Sequence, residues 1–249
     1  MPLIKSPAQI ALMKESGRIV AKTIRLVSEK VAPGVSPTDL DAYAHELILK
    51  EGGKPNFLGY RDYPAATCIS VNDVVVHGIP TPVPLKEGDI IGLDFGVVKE
   101  GWHADSAWTF AVGQISPEAQ RLMNVTREAL NQGIAKARHG NTVGDIGAAV
   151  QTYVERNGYS VVRDLVGHGI GEKLHDEPHN IPMYGKPGKG LKLRAGMTMC
   201  IEPMVNAGTW RVDQLEDNWT IVTADGRLSA HFEHTIAIMD GVADIITKE

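Results

Sequence analysis

The chain is written twice, and this repeat restricts its possible folds more than any other feature. Ser6-Pro7 marks a helix start, a capping hydroxyl followed by proline at the first helical position. Apolar residues then recur at helical spacing through Ile10, Met13, Ile19, Val20, Ile24 and Val27 until Pro33-Gly34. Ser36-Pro37 opens a second helix through Leu40, Tyr43, Leu47 and Ile48, stopped by Gly52-Gly53. Ser116-Pro117 opens a third, through Leu122, Val125, Leu130 and Ile134, predicted to end at His139-Gly140. Thr142 precedes a fourth, through Ile146, Val150, Tyr153 and Val154, ending at Gly158. Both times the order is helix, Gly-x-Ser/Thr, helix, Gly.

The segments between helices repeat as well. Val76-His77-Gly78-Ile79 answers Gly167-His168-Gly169-Ile170. Leu85 through Asp94 aligns without a gap with Leu193 through Glu202, and Ala104-Asp105 through Val112-Gly113 with Phe232-Glu233 through Asp240-Gly241. Two copies are too few for a solenoid. The expectation is one domain, residues 1–249, of two pseudo-repeats at roughly 1–113 and 114–249, packed about a pseudo-twofold axis. Two helices followed by strands in each half predict a curved, mostly antiparallel sheet covered by helices, an α+β class.

The strands carry acids where acids are normally depleted. Asp89–Val98 and His103–Val112 read as the arms of a hairpin, with Asp94 in one and Asp105 in the other. With Lys99-Glu100 as the two-residue loop, Asp94 falls directly opposite Asp105 on one face. Facing carboxylates repel unless a shared proton or a hard cation lies between them. The repeat extends the problem, because Asp94 answers Glu202, Asp105 answers Glu233, and His77 answers His168. Four carboxylates meeting at a pseudo-twofold axis cannot all ionise uncompensated. Two divalent cations would supply the charge, with His168 adding one nitrogen ligand. Oxygen donors with one imidazole suit Co, Mn, Fe, Zn or Ni, not a structural thiolate site.

Composition narrows the class. A hydrophobic fraction of 43% and a charged fraction of 22% over 249 residues describe an ordinary globular chain with a full core. A net charge of −5 offers no footprint for nucleic acid or an anionic membrane. Cys68 and Cys200 are the only cysteines, which excludes a disulfide framework and suits a reducing compartment. MPLIKSPAQI lacks the apolar core of a signal peptide, and no stretch is apolar enough to span a membrane. A cytoplasmic protein is the expectation.

Taken together, Leu93-Asp94-Phe95-Gly96, His103-Ala-Asp105-Ser, Gly167-His168-Gly169-Ile170-Gly171, Cys200-Ile-Glu202-Pro203 and Phe232-Glu233-His234-Thr235 resemble the metal-binding motifs of type I methionine aminopeptidases. The resemblance runs from Ile4-Lys5-Ser6 to about Ile238 and implies the duplicated pita-bread fold. It implies that Asp94 chelates one metal, that His168 and Glu202 hold the other, and that Asp105 and Glu233 bridge them. It makes Glu202 the acid/base, and His77 and His175 the two histidines that bind substrate and stabilise the tetrahedral intermediate. The methionine pocket would comprise Tyr60, Tyr63, Cys68, Leu174, Met204 and Trp219. Asn72, Val74 and Ser229 match a site for a monovalent cation, Na or K, found in some members. The implied activity removes the initiator methionine from peptides and nascent chains with a small second residue, and Pro2 qualifies this chain's own Met1. The implied setting is a monomer acting at the ribosome.

Other residues read more plainly. His77, His175 and His179 also admit a plain reading as core or loop histidines making ordinary hydrogen bonds, and Cys68 and Cys200 are small buried hydrophobes rather than nucleophiles. Gly185-Lys-Pro-Gly188-Lys-Gly190 is a surface loop, since no helix follows it to cradle a phosphate. The charges around Glu15 and Lys22 form a solvated helix face. Two rival functions fit parts of the pattern: a proline-specific aminopeptidase or dipeptidase with the same five ligands, and a binding protein that uses the fold without metals.

Overall fold

The structure, a computed structural model, describes residues 4–248, so Met1 lies outside the described residues. Four helices form where capping chemistry and apolar spacing agree. Helix α1 spans Pro7–Ser28, and its cap is reciprocal: Ser6 Oγ accepts the Gln9 N–H while Gln9 Oε1 accepts the Ser6 N–H. Helix α2 (Pro37–Lys50) and helix α3 (Pro117–Lys136) also start on a serine, with a one-way cap: Ser36 Oγ accepts the Asp39 N–H and Ser116 Oγ the Ala119 N–H. Helix α4 (Val143–Arg156) starts where the Asp145 carboxylate accepts both the N–H and the hydroxyl of Thr142. Helices α1 and α3 stop at Ser28 and Lys136, short of the Pro-Gly and His-Gly stops expected for them. Each helix pair covers a hydrophobic core of its own, centred on Ile19, Ile48 and Phe95 in the first half and on Leu122, Ile146 and Ile201 in the second.

Strands Ile90–Lys99 and Trp102–Ala111 form the expected hairpin, but with a different turn. Lys99 pairs with Trp102, so the loop is Glu100-Gly101, and both residues have positive φ (52° and 80°). That is a type I′ turn, whose twist matches the flanking strands. Asp94 therefore pairs with Ala107 and Asp105 with Gly96, two places from direct opposition. A shift of two preserves the face, so the carboxylates still share a side. In the second half Ile201 pairs with His234, which makes Glu202 and Glu233 the next residues along that ladder. The acids are diagonal in one copy and opposite in the other.

The sheets also correct one equivalence. Cys68–Val71 flanks the hairpin of the first half, and Gly167–Gly169 flanks the paired strands Thr198–Ile201 and His234–Ala237 of the second. Ser70 pairs with Gly92, the counterpart of Cys200, and the Gly169–Met199 pairing sets His168 beside Cys200. His168 thus answers Ser70. His77 lies on the returning arm, whose Gly78 carbonyl accepts the Ile69 N–H. Its counterpart arm is Asp176–Ile181, which begins beside His175.

The halves meet where Trp102–Ala111 runs antiparallel to residues 231–237. Glu233 N–H donates to the Ala107 carbonyl, and on either side a threonine hydroxyl is inserted, Thr235 at Asp105 and Thr109 at His231. Away from this seam, Val212–Gln214 and Ile221–Thr223 form a hairpin that pairs with Val74–Val76. Its connecting segment brings Trp219 to His77, ring centroids 6.1 Å apart.

Candidate metal centre and substrate cavity

Asp94, Asp105, His168, Glu202 and Glu233 line a single cavity of about 320 Å³. They come from five segments: the two hairpin arms, Gly167–Gly169, the residue after Thr198–Ile201, and the junction between Ser229–His231 and His234–Ala237. Asp105 and Glu233 are 4% and 2% exposed. One oxygen of each of the four acids (Asp94 Oδ1, Asp105 Oδ1, Glu202 Oε1, Glu233 Oε1) is buried with no hydrogen-bond partner. Among the described residues no lysine or arginine is ion-paired with any of the four. Buried carboxylates without donors are expensive.

Electrostatics follow from that crowding. Burial, with the Asp105 and Glu233 charges beside it, holds the Asp94 carboxyl well above the usual range. Burial and the neighbouring carboxylates do the same to Glu202 and Glu233, and burial lifts Asp105 to about 7. His168 moves the other way, to about 4, because burial disfavours the imidazolium. Its Nδ1–H donates to the Gly169 carbonyl at 2.9 Å, which leaves the Nε2 lone pair free, 3.7 Å from Glu202 Oε1. A neutral imidazole fixed in this tautomer is a ready metal ligand. Four acids, each with one unpartnered buried oxygen, and one free ring nitrogen fit divalent cations. Candidate donor atoms of Asp105, His168, Cys200 and Glu233 lie within 4.8 Å of one another. Cys200 enters this group from the inner side of its strand, its Sγ 3.5 Å from Thr235 Oγ1, and burial keeps the thiol protonated.

The remaining predicted residues line the same cavity: His77, His175, Tyr60, Tyr63, Cys68, Leu174, Met204 and Trp219. Tyr63, Cys68, Leu174 and Met204 are buried, and Tyr63 packs edge-on against Trp219 at 5.0 Å. Cys68 pairs across the sheet with Asp94, and burial raises its thiol well above its ordinary value. His175 is exposed at the mouth, its Nδ1 2.7 Å from the Tyr60 hydroxyl and its ring 4.2 Å from that of His168. His77 is held at φ 58°, a left-handed conformation that side chains with a Cβ seldom adopt, and burial lowers it to about 4. Such strain persists where the surroundings fix it, here between Val76 and a Gly78 whose Cβ would strike the Ile69 carbonyl.

Asn72 and Ser229 are also brought together, through the Ser229 N–H and the Asn72 carbonyl. Their side-chain oxygens already have protein partners: Asn72 Oδ1 accepts the Ile90 N–H, and Ser229 Oγ donates to Asn206 Oδ1. Val74, two residues after Asn72, begins the strand Val74–Val76 and pairs with Val222. His179 lines the same cavity, its Nε2 3.3 Å from Glu177 Oε1.

Phe57, Leu165 and His231 belong to the site but were not singled out from the sequence. Phe57 and Leu165 complete the apolar wall. His231 is buried, its Nε2 lacks a partner and lies 4.0 Å from Glu202 Oε2. Strand alternation would have found it, since His231 stands two residues before Glu233 and so shares its face.

Residues 11–240 match the family model described as Metallopeptidase family M24. The chain belongs to this family. It is 50% identical over 247 residues to a methionine aminopeptidase of Clostridium perfringens, the alignment covering 99% of each chain. It is 48% identical over 248 residues to methionine aminopeptidase 1 of Bacillus subtilis, covering 100% of each. The crystal structure of a methionine aminopeptidase from Thermotoga maritima superposes with a TM-score of 0.98 at 46% identity, over 100% of both chains. The pita-bread architecture and membership among the methionine aminopeptidases follow. No helix among the described residues is long and apolar enough to cross a membrane.

Proposed function

We propose that this chain is a methionine aminopeptidase whose single catalytic domain, residues 1–249, removes the initiator methionine from peptides and nascent chains with a small second residue. The observation that carries the reading is the set of four carboxylates, each with one buried oxygen that has no hydrogen-bond partner, gathered with His168 in one cavity. Asp94 would hold one divalent ion, His168 and Glu202 the other, and Asp105 and Glu233 would bridge. When bound, two such ions supply compensating charge and a water nucleophilic at neutral pH.

The chain's own groups account for the rest. Glu202 stands at the inner end of the cavity, where its Oε atoms can take a proton and pass it to the departing amine. With the Tyr60 hydroxyl donating to His175 Nδ1, the neutral ring carries its proton on Nε2, a donor for the carbonyl oxygen as charge develops there. His77, pinned by its backbone and by Trp219, lies across the cavity. Tyr63, Cys68, Leu174, Met204, Trp219 and Phe57 enclose an apolar space suited to an unbranched thioether. Burying a methionine side chain there is worth about 1.5–3 kcal/mol. The physiological metal is drawn from Co, Mn, Fe, Zn and Ni, with Na or K at Asn72, Val74 and Ser229. The proposed setting is a cytoplasmic monomer acting on chains emerging from the ribosome.

The direct test is a panel of Met-Ala-Ser, Met-Lys-Ser, Leu-Ala-Ser and Ala-Pro-Ser peptides, with metal content measured on the same protein. Cleavage of the first alone at a useful rate, with two divalent ions bound, is expected. Preferential release of Ala from Ala-Pro-Ser would transfer the function to the proline-specific rival.

A further inference from the structure

We infer that Lys5 is a positioning residue for this reaction, its buried ion pair with Asp176 holding His175 at the mouth of the cavity. The inference rests on the role proposed above for His175.

The two charges are far apart in sequence and almost dry. Lys5 Nζ lies 3.0 Å from Asp176 Oδ2, with side chains 3% and 7% exposed. Burying both partners of an ion pair costs desolvation, and apolar residues of similar volume often stabilise as well or better. A stability role alone gives little reason for it. Its placement gives a better one, because Asp176 immediately follows His175. The other oxygen, Asp176 Oδ1, accepts the Glu177 N–H at 2.9 Å, so the carboxylate joins Lys5 to the backbone just beyond His175.

The surroundings are shaped for the lysine. Its own N–H donates to the Gly196 carbonyl at 2.7 Å, and the next residue, Ser6, caps α1. Lys5 is thus fixed on both sides before its side chain extends. Gly171 lies against that side chain; a Cβ there would strike Lys5 Cε and stand 2.8 Å from Nζ and 3.1 Å from Asp176 Oδ2. A Cβ on Gly196, at φ 87°, would stand 2.7 Å from Ile4 Cγ2 and 2.8 Å from the Lys5 carbonyl oxygen. Two glycines from the second half therefore leave room for a segment of the first. Gly171 also accepts the His103 N–H at 2.8 Å, which secures the near end of the loop that runs from His168 to His175. Its far end is held by the Gly169–Asp176 strand pairing and by two side chains, the Tyr60 hydroxyl at His175 and Lys5 at Asp176, of which Lys5 brings the charge.

The experiment combines K5M/D176N, which removes both charges with little change in shape, with K5R and H175A, all assayed on Met-Ala-Ser. A small displacement of a group near the reacting atoms can cost a large factor in rate, so K5M/D176N should lower kcat by about 10–100-fold. KM should stay within about twofold, and the affinity for divalent metal, read by calorimetry, should be unchanged because the ligands lie elsewhere. On the H175A background the same two substitutions should change kcat by less than about twofold, because both act through one imidazole. K5R, which keeps the charge, should retain most of the activity. Should K5M/D176N fail to fold, D176E moves the loop by one methylene, keeps the charges, and carries the same expectation. An impaired H175A beside a K5M/D176N at full kcat would overturn the inference alone, as would a loss that multiplies undiminished onto H175A. A wild type inert on Met-Ala-Ser, or an unimpaired H175A, would instead overturn the reading on which it rests.

Discussion

The hydroxyl of Thr235 stands between its own strand and the main chain of Asp105, accepting the Asp105 N–H at 2.9 Å and donating to the Asp105 carbonyl at 2.7 Å. The same geometry recurs at Thr109, which accepts the His231 N–H at 3.0 Å and donates to the His231 carbonyl at 2.8 Å. Between them the backbones touch directly, Glu233 N–H on the Ala107 carbonyl. The halves are therefore joined by a short ladder with two hydroxyl spacers, and Asp105 and Glu233 stand on it. The acids proposed to bridge two metals are held by the seam that joins the two halves of the fold.

Thr235→Val keeps the side-chain shape and removes both hydrogen bonds to Asp105. Leaving a buried main-chain group unsatisfied costs about 1–3 kcal/mol, so chemical denaturation should report a loss of at least that order. Metal affinity should fall with it, and Thr235→Ser should restore both. A Thr235→Val protein as stable as the parent would show that the spacer is dispensable.

Removing metal should make stability depend on pH in one direction above neutrality. The four acids have raised pKa values in the folded chain, Asp105 at about 7, so the fold binds protons that the unfolded chain has released. Their contribution is present at low pH and is lost as pH rises through the folded values. His77, His168 and His231, lowered by burial to about 4, 4 and 3, oppose this only at acid pH, being neutral in both states well above 6.5. The Tm of chelator-treated protein should thus fall from pH 7 to 8.5, and saturating divalent metal should abolish the fall. A flat apo profile would mean that the acids are relieved by something other than metal.

Much of this arrangement was legible from the residues. The Ser-Pro starts of α1, α2 and α3 are local chemistry, and three of the four starts proved to be those serines. The helix ends were harder to place, because a Pro-Gly or His-Gly stop marks where a helix cannot continue, not where it ceases. The facing acids were recoverable although the turn was misplaced, since both registers put Asp94 and Asp105 on one side. The pairing of His77 with His168 failed for a different reason. Both stand before glycine in similar strings, yet they lie on opposite arms of their hairpins, and only hydrogen bonding between strands distinguishes the arms.

The hairpin turn offers a prediction that is independent of catalysis. Glu100 is exposed, has φ 52°, and occupies the first central position of a type I′ turn, where Asn is strongly preferred before Gly. Glu100→Asn should stabilise the chain by a few tenths to about 1 kcal/mol with activity unchanged. Gly101→Ala, at φ 80°, should destabilise it by about 1–2 kcal/mol. The opposite order of these two variants in thermal unfolding would argue for the Lys99-Glu100 loop.

Glu202 carries the sharpest catalytic prediction, because its two proposed duties can be separated. Its side chain is 12% exposed and has one oxygen 3.7 Å from His168 Nε2 and the other 4.0 Å from His231 Nε2. Burial and the Asp105 and Asp94 charges keep the carboxyl well above its ordinary pKa while metal is absent. Glu202→Gln preserves the outline, supplies a neutral oxygen ligand, and removes the base. If Glu202 moves the proton, kcat should fall by about 10²–10⁴-fold even when calorimetry finds both metals bound. If it were a ligand only, raising the metal concentration until both sites fill would restore the rate. Measuring kcat across a metal titration of Glu202→Gln decides between the two, and full recovery at saturation would strip Glu202 of its acid/base role while leaving it in the metal centre.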